Sequence, residues 1–181
     1  MKKSSALLLV PIMLAFFTMG FVDLVGIAAN YVKADFQLSD TLANLLPSMV
    51  FLWFFVFSVP TGMLMNKIGR KNTVLLSLVV TLPALMIPLI SYSFASMLIS
   101  FTFLGIGNTL MQVSLNPLIA GLVSKERMAS TLTFGQFVKA IASFIAPILA
   151  AWAVIRFSDW RMILFPSFLA ICVLVIALLF I

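Results

Sequence analysis

An all-α membrane protein of six transmembrane helices, set as two inverted triplets (3+3), is predicted by three features of this 181-residue chain. Hydrophobic residues make up 64% of it and charged residues 9%, with a mean hydropathy of +1.24; soluble domains are about 45–50% apolar and about 25% charged. The apolar residues fall in six runs, each near the ~20 residues that a bilayer requires. Basic residues collect in alternate connections, as in a chain that threads back and forth across a membrane. The runs are too long and continuous for barrel strands, so helices satisfy the backbone here.

The six runs form one domain, 1–181, with helices over 6–31, 42–65, 73–91, 95–122, 128–155 and 162–181. The first run follows Lys2 and Lys3 and superficially resembles a signal peptide. Its apolar core is too long and lacks a small-x-small cleavage site, so it is predicted to be a retained helix. Between the first and second runs, Ser39 or Asp40 is placed to cap the second helix. The third run ends in a tight turn at Ser91–Phe94, and Val123–Arg127 is a short link between the fourth and fifth. Before the sixth run, Trp160 is placed as an interfacial anchor.

Orientation follows from the cations. Lys2, Lys3, Lys67, Arg70, Lys71, Lys125 and Arg127 lie on one side, against Lys33, Arg156 and Arg161 on the other. This places both termini in the cytoplasm, with the chain in the cytoplasmic membrane. The net charge of +6 therefore belongs to membrane-facing loops, and no nucleic-acid partner is expected. Histidine is absent and the single cysteine, Cys172, lies in an apolar run. A Ser–His intramembrane protease and the usual zinc sites are excluded. No enzyme activity, cofactor or metal is expected.

Three polar stripes interrupt this otherwise lipid-like composition. The first helix carries Phe16, Met19, Gly20, Asp23, Ile27 and Asn30 on one face. The fourth carries Gly105, Asn108, Gln112 and Asn116, and the fifth Thr133, Gln136, Lys139, Ser143 and Ala146. Glycines interrupt the first helix of each triplet: Gly20 and Gly26 around Asp23, then Gly105 and Gly107, with Asn116-Pro117, around Gln112. Paired interruptions of this kind mark a site near the midplane of inverted-repeat transporters. A charge near the centre of a span costs roughly 2.5–3.5 kcal/mol on lenient scales. Asp23 and Lys139 are thus expected to face water, solute or each other, which favours a functional role, with a structural ion pair as the alternative. Asn108, Asn116 and Ser143 fit hydrogen bonds between helices as well as a ligand.

The second and third helices are joined by Gly62-Met63-Leu64-Met65-Asn66-Lys67-Ile68-Gly69-Arg70-Lys71. Gly69 is a helix stop, Arg70 and Lys71 hold the turn at a membrane face, and Gly62 leaves room for a close neighbour. The pattern resembles the signature loop of the major facilitator superfamily, with Asn66 where that family usually has Asp. Asn66 can cap a helix but forms no ion pair. The segment from Gly107 to Pro117 looks like the fourth helix of the fucose permease family, which includes bacterial glucose/galactose permeases. The segment Leu132–Ser143 is similar to that family's fifth helix.

The resemblance implies the N-terminal half of a secondary transporter for a small polar solute, a monosaccharide, by proton symport. Asp23 falls on the family's first-helix aspartate and would take the proton. Gln112 replaces a fourth-helix acid, and Lys139 replaces a commoner Asn and would pair with Asp23. Asn30, Asn108, Gln112, Asn116 and Gln136 would bind the solute. A site between two halves implies a second six-helix half or a second copy as partner, besides solute, proton and bilayer. Two rivals stand beside this. One is an efflux antiporter, since Ala142-x-x-x-Ala146-Pro147 loosely resembles an antiporter motif. The other is a non-transporting scaffold subunit.

Overall fold

The computed structural model describes the backbone of residues 5–179 and the side chains of 9–179; Lys2, Lys3 and the last two residues of the sixth run lie outside them. The first span is α1 (Ser5–Gly20), a 3-10 turn (Phe21–Leu24) and α2 (Val25–Asp35). Single helices form the next four: α3 (Asp40–Ile68), α4 (Arg70–Ile90), α5 (Phe94–Ala120) and α6 (Lys125–Phe157). A second 3-10 turn (Trp160–Ile163) and α7 (Leu164–Leu179) make the sixth. All six are long and apolar enough to cross a membrane, and the described residues contain no strand. Several helices outrun the apolar stretches, because hydropathy marks the hydrocarbon zone while helical hydrogen bonding continues into the interface.

Local chemistry sets the ends. The Ser39 hydroxyl accepts from the Leu42 amide at 3.3 Å and caps α3, while Asp40 pairs with Lys33 across the loop. Ser93 and Ser96 form a reciprocal capping box at the start of α5. One residue, Gly69, joins α3 to α4 at φ 87° and ψ 159°, a conformation essentially confined to glycine. Gly69→Ala is therefore expected to cost about 1–3 kcal/mol, seen as a lower unfolding midpoint in detergent. An unchanged midpoint would mean that the turn has another conformation.

Packing reveals the inverted repeat through two glycines. A Cβ on Gly20, in the first span, would lie 2.6 Å from Ala142 Cβ in the fifth. On Gly105, in the fourth span, it would lie 2.9 Å from Val50 Cα in the second. The first helix of each triplet thus crosses the middle helix of the other at a glycine, the relation that a pseudo-two-fold between triplets generates. Around these crossings lie two apolar clusters. One contains Ile12, Phe16, Leu78 and Leu115, the other Val25, Leu46, Met97 and Trp160. They lie to either side of the Phe21–Leu24 turn.

Several expectations need correction. A Cβ added at Gly62 would meet no atom within 4 Å, so no helix packs closely there. α5 runs unbroken through Gly105, Gly107 and Pro117, because both glycines are used for close packing, Gly107 against Ser77 and Thr81. Trp160 is buried (4% exposed) and stacked on Tyr31 rather than set at a lipid interface.

Candidate functional site

The turn Phe21–Leu24 breaks the first span at Asp23, and the crossing at Gly20 brings the backbone of Lys139 and Ser143 against it. The Ser143 hydroxyl donates to Asp23 Oδ2 at 2.5 Å, with the Lys139 carbonyl at 3.0 Å and the Gly20 carbonyl at 3.3 Å as alternative acceptors. Asp23 itself is exposed. The expected ion pair is absent. Lys139 is half-buried and makes no side-chain hydrogen bond or salt bridge among the described residues, whose ion pairs are Lys33–Asp40 and Arg161–Asp159. Ser143 stands one turn, about 5.4 Å, beyond Lys139 on α6, and it is the residue that meets Asp23.

The five amides share one property. Asn30, Asn116 and Gln136 are exposed, and Asn108 and Gln112 are half-buried. None has a side-chain hydrogen bond among the described residues, and Asn108 Oδ1 is enclosed without a donor. This argues against interhelical hydrogen bonding as the reason for Asn108 and Asn116. Trp53 presses on Gly105 and edges onto Phe57 at 5.6 Å. Its indole N–H is likewise enclosed without an acceptor. An unmade hydrogen bond on a group shielded from water is costly, so Asn108 and Trp53 are candidates for a polar partner.

The loop between the second and third spans acts on helix ends. Arg70 Nη1 donates to the Pro117 carbonyl at 2.9 Å, and Lys71 Nζ approaches the Leu179 carbonyl at 3.4 Å. Arg70 thereby meets the C-terminal end of α5, where carbonyls lack partners and the dipole is negative. Asn66 is exposed and caps nothing; the turn at Gly69 has no side-chain cap. The reason is geometric, since the backbone turns at a single glycine and presents no helix N-terminus to residue 66.

A second polar cluster, at the opposite end of the spans from that loop, was not legible in the sequence. Tyr92 donates to Asp35 at 2.5 Å, Trp160 Nε1 donates to Tyr92 at 3.4 Å, and the Arg161 guanidinium lies 4.0 Å over the Tyr92 ring. Arg161 holds both Asp159 oxygens and the Pro88 carbonyl. Asp35, Tyr92, Asp159, Trp160 and Arg161 line a cavity of about 310 Å³ with Tyr31, Val154 and Ser158. Burial, and then the hydrogen bond to Asp35, push the Tyr92 phenol well above its ordinary value. Burial raises the Asp159 carboxyl, but Arg161 outweighs it and the pKa ends below the usual 3.8. A carboxylate held low adds stability above its ordinary pKa and loses it as pH falls through the folded value. The effect is modest for a pair still partly open to solvent, the Arg161 and Asp159 side chains being 25% and 19% exposed. Arg161→Ala is expected to lower the neutral-pH unfolding midpoint and leave a smaller further loss below about pH 4; equal acid loss in both proteins would deny the pairing.

Comparison with known proteins agrees with this architecture. The family described as Major Facilitator Superfamily matches residues 12–181. The chain belongs to that superfamily of membrane transporters. It is also similar to the glucose/galactose transporters of Brucella abortus biovar 1 (strain 9-941) and Brucella abortus (strain 2308), 31% identical over 154 residues in each case. The alignment covers 83% of this chain and 37% of each relative. Six apolar spans related by glycine crossings fit one half of a major facilitator fold.

Proposed function

We propose that this chain acts as the N-terminal six-helix half of a proton-coupled monosaccharide transporter in a bacterial inner membrane, both termini cytoplasmic. The observation that carries the reading is an accessible carboxylate, Asp23, on the broken first span, together with five amides that have no side-chain hydrogen bond among the described residues. Free amide donors and acceptors suit sugar hydroxyls, and a carboxylate suits a proton. The similarity to transporters named for glucose and galactose points to the same solute class. Asn30, Asn108, Gln112, Asn116 and Gln136 would hold hydroxyls, and Asp23 would carry the proton. A second six-helix unit, or a second copy, would close the site.

The antiporter rival gains nothing from the fold. Ala142, Ala146 and Ala150 are fully buried, so the small residues of the fifth span serve packing.

The test is sugar counterflow in proteoliposomes containing the chain with its completing six-helix unit, with and without a pH gradient that is acid outside. Glucose or galactose exchange that becomes concentrative under the gradient is expected. Exchange indifferent to pH would remove the proton, and no exchange across a hexose panel would remove the sugar. In the same assay Lys139→Ala should retain gradient-driven accumulation, because Ser143 rather than Lys139 meets Asp23. Loss of accumulation would restore the pairing inferred from spacing.

A further inference from the structure

Between the first, third, fourth and sixth spans lies a cavity of about 260 Å³ that the transport reading does not use. Phe21, Val25, Ala84, Met97, Phe101 and Ile163 are among its walls. Four hydroxyls also face it, and each is already committed to a backbone carbonyl. Thr18 donates to Leu14, Thr81 to Ser77, Ser100 to Ala84 and Ser167 to Ile163, at 2.6–2.9 Å. A water molecule needs two to four polar partners, and this cavity offers no free donor hydrogen. Dry apolar cavities of about 150 Å³ take up benzene, so this one has room for a longer hydrocarbon.

The position of the cavity identifies the source. Trp160 roofs it and separates it from the polar cluster above, since that one ring lines both cavities. Among its lining residues the two exposed ones are Pro166 and Ala170, one turn apart on α7. That flank belongs to the sixth span, which carries none of the polar stripes that would face a second six-helix unit, so its neighbouring medium is read as lipid. We infer that the cavity is a site for one acyl chain of a membrane phospholipid, entering past Pro166 and Ala170. The chain would lie behind Phe21, Val22 and Leu24, the apolar side of the turn whose polar residue is Asp23. Filling the cavity would restore dispersion contacts that its walls otherwise lack, bracing a stretch that has lost regular α-helical hydrogen bonding.

The test uses Trp160 as its reporter, because bulk lipid has almost no access to a ring that is 4% exposed. Trp53→Phe and Trp152→Phe leave it as the sole tryptophan, in nanodiscs of phospholipid with acyl chains brominated near their ends. Loss of Trp160 emission relative to unbrominated lipid is expected, with recovery on Ala170→Phe at the mouth or Ala28→Leu in the wall. Undiminished emission, or equal quenching with and without these fillings, would overturn the site. Quenching by bromododecane in unbrominated lipid, but not by the brominated phospholipid, would overturn the acyl-chain assignment in favour of free hydrocarbon. Should the double tryptophan variant fail to fold, the difference between the otherwise unmodified chain and its Ala170→Phe variant reads the same effect. The other two tryptophans then contribute a common background, and no difference would again overturn the site.

Discussion

Asp23→Asn is expected to abolish uphill sugar accumulation under a pH gradient while leaving counterflow measurable. An asparagine keeps the shape of the side chain and still accepts from the Ser143 hydroxyl, which donates to Oδ2 in the native protein. It carries no ionisable proton, so the energetic link to the gradient is lost while the solute's hydrogen-bonding groups stay in place. The measurement is paired: exchange of labelled sugar at equal concentrations, and net uptake with acid outside. Accumulation that survives would move proton coupling elsewhere. Loss of both activities would make Asp23 a ligand for the solute. Ser143→Ala should be milder, since it removes a donor whose bond to a charged acceptor contributes about 1.5–3 kcal/mol but leaves the carboxylate.

The largest structural effect is expected at Gly20. An added methyl would sit 2.6 Å from Ala142 Cβ and 3.2 Å from the Ser143 amide nitrogen, against backbone of the fifth span that has little freedom to yield. Overpacking of this kind costs typically about 1–3 kcal/mol, so Gly20→Ala should lower the unfolding midpoint in detergent, and Gly20→Val should lower it further. Separation of the two spans would also break the contact between Asp23 and Ser143, so transport should fall with stability. Gly26 is the internal control. It stands six residues on in the same span, with no atom within 4 Å of where its Cβ would be, and Gly26→Ala should be tolerated. Equal losses at both positions would mean that helix propensity, and not the crossing, governs the effect.

The motif residues show how far a sequence can be read here. Gly69 is legible as a helix stop because one residue type satisfies the conformation, and it stands at φ 87°. The break at Asp23 is legible from Gly20 and from the cost of a charge in an apolar span. Asn66 misleads because capping depends on where a helix N-terminus points, which composition does not state. The expected break in the fourth span misleads for a related reason. Glycine signals freedom or proximity equally well, and at Gly105 and Gly107 the neighbours Val50, Ser77 and Thr81 make it proximity. The cluster of Asp35, Tyr92, Asp159, Trp160 and Arg161 draws on three separate stretches of chain, none of which reads as a site alone.

By itself the sequence determined six helices, two triplets and a polar stripe on each of three spans. Hydrocarbon leaves a backbone no other way to satisfy its hydrogen bonds, and a 3.6-residue period decides which side chains share a face. Which stripes meet, and at what height, was decided only by tertiary structure. A shift of one turn, about 5.4 Å, keeps every residue on its face while exchanging one partner for another. Ser143 and Lys139 are one turn apart, and the close crossing at Gly20 selects Ser143 for Asp23. The depth of that crossing depends on a missing side chain in one helix and a small one, Ala142, in another, a match that neither stretch of sequence contains.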